Sequence, residues 1–179
     1  MRIFLAGGTG FVGGHVRGAL LENGHELRIL THRQTACPEP GIEVVDGDVT
    51  RPDTFAAALD GCEAILNLVG IIREFPRRGI TFERLHVAAT ENLLSAARKV
   101  GVRRFIQMSA LGSRDGAASR YHQTKFRAEQ CVRASGLDWT IFRPSVIFGP
   151  RDDFINRLAF YVRKFPLVPV IGNGLYRLQ

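Results

Sequence analysis

The chain has 179 residues, 45% of them hydrophobic, and its 24 Lys and Arg outnumber 17 Asp and Glu for a net charge of +7. That length suits one globular domain with its own core and leaves no room for a second complete one, and no apolar run approaches the ~20 residues of a membrane-spanning helix. Cys37, Cys62 and Cys131 are odd in number and far apart, and the five histidines show no HxxxH or HExxH pattern, so neither a disulfide framework nor a metal site is expected.

Arg2 to Ala6 (RIFLA) is an apolar run of strand length, and residues 11 to 23 carry Val12, Val16, Ala19 and Leu20 at helical spacing. Between them lies Gly7-Gly8-Thr9-Gly10-Phe11-Val12-Gly13. A glycine turn between a strand and a helix is the setting of a dinucleotide cradle. Gly7 permits the tight turn, Gly10 lets a pyrophosphate approach the backbone, and Gly13 allows close helix–strand packing. The phosphates would face the unpaired N–H groups of the helix start at Phe11 and Val12. With a strand beginning at residue 2, no signal or transit peptide is expected, and the expected location is cytoplasmic.

Glu26 to Thr31 and Ile42 to Asp46 read as short strands separated by a Pro- and Gly-containing loop. Thr50 to Leu59 predicts a helix, Ala64 to Val69 (AILNLV) a strand buried on both faces, and Ile80 to Val100 a long helix with Leu85, Ala89, Leu93 and Ala96 on one stripe. Arg104 to Ser109 predicts a fifth strand, Tyr121 to Ser135 a helix, and Leu137 to Phe148 a sixth strand interrupted by Pro144. Strands regularly followed by helices predict an α/β fold, a doubly wound parallel sheet of Rossmann type. After Phe160 the chain turns rich in aromatic residues and proline, and a strand opens near Gln179.

Charge alone raises nucleic acid as a ligand, but the arginines form no long stripe interleaved with aromatics, so none is expected. The densest cluster, Arg73 with Arg77-Arg78, reads as a solvated loop or as a substrate or partner contact. Tyr121 and Lys125 are one helical turn apart and project from the same face, a usable acid/base pair. Bringing a tyrosine from about 10 to near 7 takes roughly 4 kcal/mol of preferential phenolate stabilisation. At the end of the second strand, where a carboxylate usually accepts from a free ribose 2′-hydroxyl, the chain has Thr31-His32-Arg33. The missing carboxylate and the forked donor of Arg33 favour NADP over NAD, a solvated Arg33 being the alternative.

With GGTGFVG at its start, Ser109, Tyr121 and Lys125 in the middle, and Arg143-Pro144-Ser145 running to Phe148-Gly149-Pro150, the chain resembles the extended and atypical short-chain dehydrogenase/reductases, the NAD-dependent epimerase/dehydratase family, over nearly its whole length. Ser109 to Gly112 and Ser135 to Pro150 look most like the subgroup that includes the nucleotide-binding accessory subunit of respiratory complex I. The resemblance implies that Ser109 hydrogen-bonds a substrate oxygen, Tyr121 exchanges the proton and Lys125 holds the nicotinamide ribose. It implies that Asp48-Val49 contact the adenine, although Asp48 equally fits a cap for the helix at Thr50. Leu68-Val69-Gly70 would pass beneath the cofactor, and Pro144 and Val146 would lie near the nicotinamide.

His86 falls where many relatives carry an asparagine of a proton relay, and it fits either a substitute relay or a satisfied histidine on a helix face. The family implies a C-terminal region that closes over the substrate, so residues 1–150 are expected to form the dinucleotide-binding domain and 151–179 the start of a substrate-binding or interaction region that is largely missing. Pairing of two copies through the long helices is a further implication. Two functions stay open: an NAD(P)-dependent oxidoreductase or epimerase-like enzyme with a small-molecule substrate, and a non-catalytic protein that holds NADP(H) for structure, assembly or redox sensing.

Overall fold

A strand that is apolar at every position must be covered on both faces, and the central strands of this chain obey that rule. The computed structural model describes residues 1–32 and 40–167. Within it β1 (Arg2–Ala6), β2 (Glu26–Thr31), β3 (Ile42–Asp46), β4 (Ala64–Asn67), β5 (Arg104–Met108) and β6 (Asp138–Phe142) form one sheet in the order β3-β2-β1-β4-β5-β6. Every neighbouring pair is parallel. All four residues of β4 are buried, while the edge strands β3 and β6 have none fully buried.

Alternation along β1 divides the core in two. Phe4 and Ala6 join Ile65, Leu93, Ala97, Phe105 and Val132 on the face covered by α2 (Ala89–Val100) and α3 (Arg120–Arg133). Ile3 and Leu5 join Leu27, Ile29 and Leu66 on the opposite face, against Val16 and Leu20 of α1 (Phe11–Glu22). Helices on both faces of a parallel sheet make the doubly wound Rossmann arrangement that the alternating pattern predicts. The winding reverses between β1 and β4, and ligands of such sheets bind in the crevice at the carboxyl ends of the strands flanking that reversal.

Three elements differ from expectation. The helix expected over Thr50 to Leu59 is two short 3₁₀ turns, Pro52–Thr54 and Ala56–Leu59. Pro52 brings no N–H, and Thr54 Oγ1 binds locally, donating to Arg51 O at 2.7 Å and accepting from Asp48 N at 2.9 Å. The helix expected from Ile80 begins at Glu83 as a π-helical turn, Glu83–Ala88, before continuing as α2. The sixth strand stops at Phe142, because Pro144 has no donor for a further ladder bond and biases Arg143. The strand expected near Gln179 lies outside the described residues.

The sheet and α1 to α3 belong to one compact unit, Met1–Arg143, and a second begins at Pro144 and carries α4 (Ile155–Lys164). In that second unit Asp152 Oδ1 accepts the N–H of Ile155 at 2.6 Å and of Asn156 at 3.4 Å, capping the first turn of α4. No described residue of α4 is buried, and Phe154, Leu158, Phe160 and Val162 are exposed. Among the described residues no helix is long and apolar enough to cross a membrane.

The glycines of the first turn yield a paired prediction. A Cβ on Gly13 would collide with Gly7 O and with Gly8, whereas one on Gly18, in mid-helix, meets nothing within 4 Å. Gly13→Ala is expected to lose on the order of 3 kcal/mol, and Gly18→Ala to gain about 0.5–1 kcal/mol. Urea unfolding of the two variants checks both signs.

Candidate functional site

The turn after β1 has the geometry its glycines suggest. Gly7 sits at φ +83°, and a Cβ there would stand 2.8 Å from Leu68 C and 2.9 Å from Val69 N. Gly10 differs: its Cβ would meet only Gly7 O, at 3.5 Å. Protein packing therefore does not demand a glycine at 10, which leaves the approach of a ligand as the reason for one. α1 starts at Phe11 with no side-chain cap and no acidic residue in its first turn, so the N–H groups of Phe11, Val12 and Gly13 remain open to an anion. The cradle fits a dinucleotide's phosphates.

Beside the cradle a cavity of about 370 Å³ opens at the carboxyl edge of the sheet. Gly7, Thr9 and Val69 line one side, His32 and the 47–50 turn a second. Asp48 Oδ1 accepts both the N–H and the hydroxyl of Thr50, each at 2.8 Å. Burial works to raise the Asp48 pKa, but the two Thr50 bonds together with the charges of His32 and Arg84 hold the carboxyl below its usual range. Asp48 thus does hold the Thr50 turn while also lining the cavity. Thr31 Oγ1, at the end of β2, is buried with no hydrogen-bond partner among the described residues. Arg33 lies outside those residues. Leu68 turns its side chain into the core and presents only backbone to Gly7. Pro144 and Val146 belong to the second unit.

Ser119 caps α3 by accepting the N–H of His122, fixing the start of the helix that carries Tyr121 and Lys125. Lys125 is 3% exposed, and its Nζ donates to Met108 O at 3.1 Å and Val69 O at 3.4 Å. Burial pushes its pKa down to about 8, against the attraction of Glu129. A Cβ on Gly70 would stand 2.8 Å from that Nζ, so the glycine makes room for the ammonium. Tyr121 lies edge-on to the rings of Phe82, His86 and His122, at centroid distances of 5.8, 5.3 and 5.1 Å. Burial pushes its phenol above the usual value, the opposite of the lowering that proton transfer near pH 7 needs. Ser109 is buried at the end of β5, and its Oγ lies 3.3 Å from Ser113 Oγ.

His86 is a satisfied histidine. Thr124 Oγ1 donates to Arg120 O at 2.9 Å, so at 2.8 Å it accepts from His86 Nδ1–H. Nε2 is then unprotonated and accepts the N–H of Ile71 at 3.2 Å. Burial, and after it the Lys125 charge, lowers the His86 pKa to about 3, in keeping with that neutral tautomer.

Sequence reasoning missed the buried polar partners of these residues. Glu129 is fully buried, accepts Arg143 Nε at 2.8 Å and pairs also with Arg143 Nη2 and Arg133. Burial works to raise its pKa, yet Arg143, Ser109 and Arg133 bring it below the usual range. Its position one turn beyond Lys125 on the same face was the available signal. Asn67 Nδ2 donates to Gln107 Oε1 at 2.9 Å and Thr90 Oγ1 at 3.2 Å, each a polar side chain inside an apolar run.

A family model described as NAD(P)H-binding matches residues 7–153. A 3 beta-hydroxysteroid dehydrogenase/Delta 5→4-isomerase of Mycobacterium tuberculosis is 33% identical, covering 99% of this chain and 56% of its own length. The mouse mitochondrial NADH dehydrogenase [ubiquinone] 1 alpha subcomplex subunit 9 is 30% identical, over 94% of this chain and 46% of its own. Among solved structures, MoeE5 in complex with UDP-glucose and NAD superposes with a TM-score of 0.76 at 22% identity, covering 90% of this chain and 60% of that one. The chain spans about half the length of the curated relatives it matches.

The buried histidine carries a pH prediction. A folded-state pKa of about 3 against 6.5 in the unfolded chain means that the unfolded state binds more protons between those values, so His86 contributes stability above pH 6.5 that is lost as pH falls toward 3. Between pH 7 and pH 5 the wild type is expected to lose about 2 kcal/mol more unfolding free energy than His86→Asn, read from denaturant titrations at each pH.

Proposed function

The chain belongs to the NAD(P)H-binding family, and from that premise we propose that it acts as an extended short-chain dehydrogenase/reductase, moving a hydride and a proton between a nicotinamide nucleotide and an alcohol or carbonyl substrate. The observation that carries this reading is the position of Lys125. Its ammonium is buried against Val69 O, just past β4, and Met108 O, at the end of β5, on the carboxyl edge of the sheet, with Tyr121 one turn before it on α3.

When bound, the nicotinamide supplies the hydride chemistry. The cradle of Gly7, Thr9, Gly10, Phe11, Val12 and Gly13 holds the phosphates, and Asp48 and Val49 hold the adenosine end. Burial keeps the proton on Tyr121 Oη at neutral pH, which suits donation to a carbonyl oxygen. Oxidation of an alcohol needs the phenolate, which the Lys125 ammonium favours through its charge. Ser109 donates to the same substrate oxygen by exchanging its bond to Ser113. NADP is preferred, because the end of β2 offers His32 and Arg33 where a carboxylate would select a free ribose. Residues 151–179 open the region that shapes the substrate pocket.

A second reading has its own support. His86 has both ring nitrogens engaged and Ser109 is buried, an arrangement that suits a protein holding NADP(H) for structure or redox sensing.

Calorimetric titration with NADPH and NADH, followed by a carbonyl screen, separates the two. Tyr121→Phe is expected to reduce turnover by about 10²–10⁴-fold while leaving nucleotide affinity unchanged. Tight binding with no turnover of any carbonyl selects the second reading, and absence of binding overturns both. In the active case kcat/KM is expected to be flat below pH 8 and to fall above it, as Lys125 loses its proton and its charge.

A further inference from the structure

A third part of the lining of the cavity beside the glycine cradle comes from the crossover between β4 and α2. Arg78, Gly79, Ile80 and Arg84 line it, together with His32 and Asp48. Asp48 is the sole acidic residue among the described residues of that lining, and Oδ1 of its carboxylate already serves Thr50. Two guanidinium groups in a lining with a single carboxylate, itself partly engaged, make this a cavity for an anion.

The placement of Arg84 is built. Its Nη1 donates to Gly79 O at 3.1 Å and its Nη2 to Thr50 Oγ1 at 3.3 Å, so one side chain ties the crossover wall to the turn after β3. Gly79 sits at φ +68°, and a Cβ there would collide with Arg84 Nη1, so glycine serves the turn and the guanidinium at once. Arg78 is held over the ring of Phe75, 6.0 Å from its centroid. Of the five N–H donors of an arginine, Arg84 spends one on Gly79 and one on Thr50, leaving others for a ligand. The end of β2, where folds of this class read the adenosine ribose, contributes His32 to the same cavity.

We propose that Arg84 and Arg78 read a phosphate on the adenosine ribose, so that selection of NADP over NAD is made by the β4–α2 crossover as well as by the end of β2. This rests on the nucleotide-binding reading above and adds to it two residues and the ligand group they recognise. A phosphate dianion suits forked, charge-assisted donors, whereas a free 2′-hydroxyl gains little from them.

The test is calorimetric titration of the full chain with NADPH, NADH, 2′,5′-ADP and 5′-ADP, for the wild type, Arg84→Ala, Arg84→Gln and Arg78→Ala, with orthophosphate as a competitor. Each variant is expected to weaken NADPH and 2′,5′-ADP by at least about tenfold while changing NADH and 5′-ADP by less than about threefold. Orthophosphate at matched concentration is expected not to displace NADPH, because it lacks the adenosine that fills the cavity. Melting temperatures without nucleotide identify any variant that fails to fold, in which case Arg84→Gln and Arg78→Ala carry the test. Equal weakening of phosphorylated and unphosphorylated nucleotides, or no weakening of either, overturns the proposal while nucleotide binding stands. A wild type that binds none of the four overturns both.

Discussion

A lysine ammonium withdrawn from water is the constraint from which the rest of the site follows. Burying such a charge costs several kcal/mol unless its donors are met. Two parallel strands meet it: the end of β5 offers Met108 O, and the residues just past β4 offer Val69 O. Gly70 lacks a side chain where Nζ lies, and Glu129 supplies the opposite charge one turn along α3. Glu129 is itself fully buried and is tolerable only because Arg143, just past the end of β6, binds it through two nitrogens. One charge on a helix thus fixes what must stand on three successive strands.

The same ammonium decides the state of His86. A second cation beside it would be repelled, and burial adds to that, so the ring stays neutral and acts as one donor and one acceptor. In that form it joins Thr124 on α3 to Ile71 on the crossover. The π-helical turn that carries it presents Arg84 two residues earlier, and residues two apart on a helix point to nearly opposite sides. His86 therefore faces inward to the Tyr121–Lys125 helix while Arg84 faces the cavity. A single irregular turn supports both halves of the site, and Phe82, stacked on His86 at 5.2 Å, fixes its entry.

The fold was legible because its signals are strong and local. RIFLA and AILNLV are mostly apolar runs of strand length, and in the turn between β1 and α1 Gly7 and Gly13 are required by close packing. The Thr50 to Leu59 helix failed because Asp48, Thr50 and Thr54 trade hydrogen bonds with nearby backbone, a competition that periodicity does not register. The partners of the site were illegible for a different reason. Glu129 with Arg143, Asn67 with Gln107, and Arg84 with Thr50 are pairs made across elements, and no spacing rule connects them. Each does leave a trace, a polar residue where the pattern calls for an apolar one or a charge a turn away from another, but the trace names no partner.

Tyr121 shows where the chain's own physics stops and a ligand's must begin. Three rings around the phenol exclude water and raise its pKa, and the ammonium one turn away is turned toward carbonyls of β5 and the β4 end. Among the described residues burial therefore favours the phenol over the phenolate, the opposite of what proton abstraction near neutral pH would need. A cationic ring placed beside the phenol would offset part of that preference, and a ligand drawing Lys125 toward itself would offset more, since Coulomb attraction rises as separation falls in a medium of low dielectric. On the proposed reading, the geometry of the Tyr121–Lys125 pair is present without ligand, and a bound nucleotide would supply the remaining phenolate stabilisation.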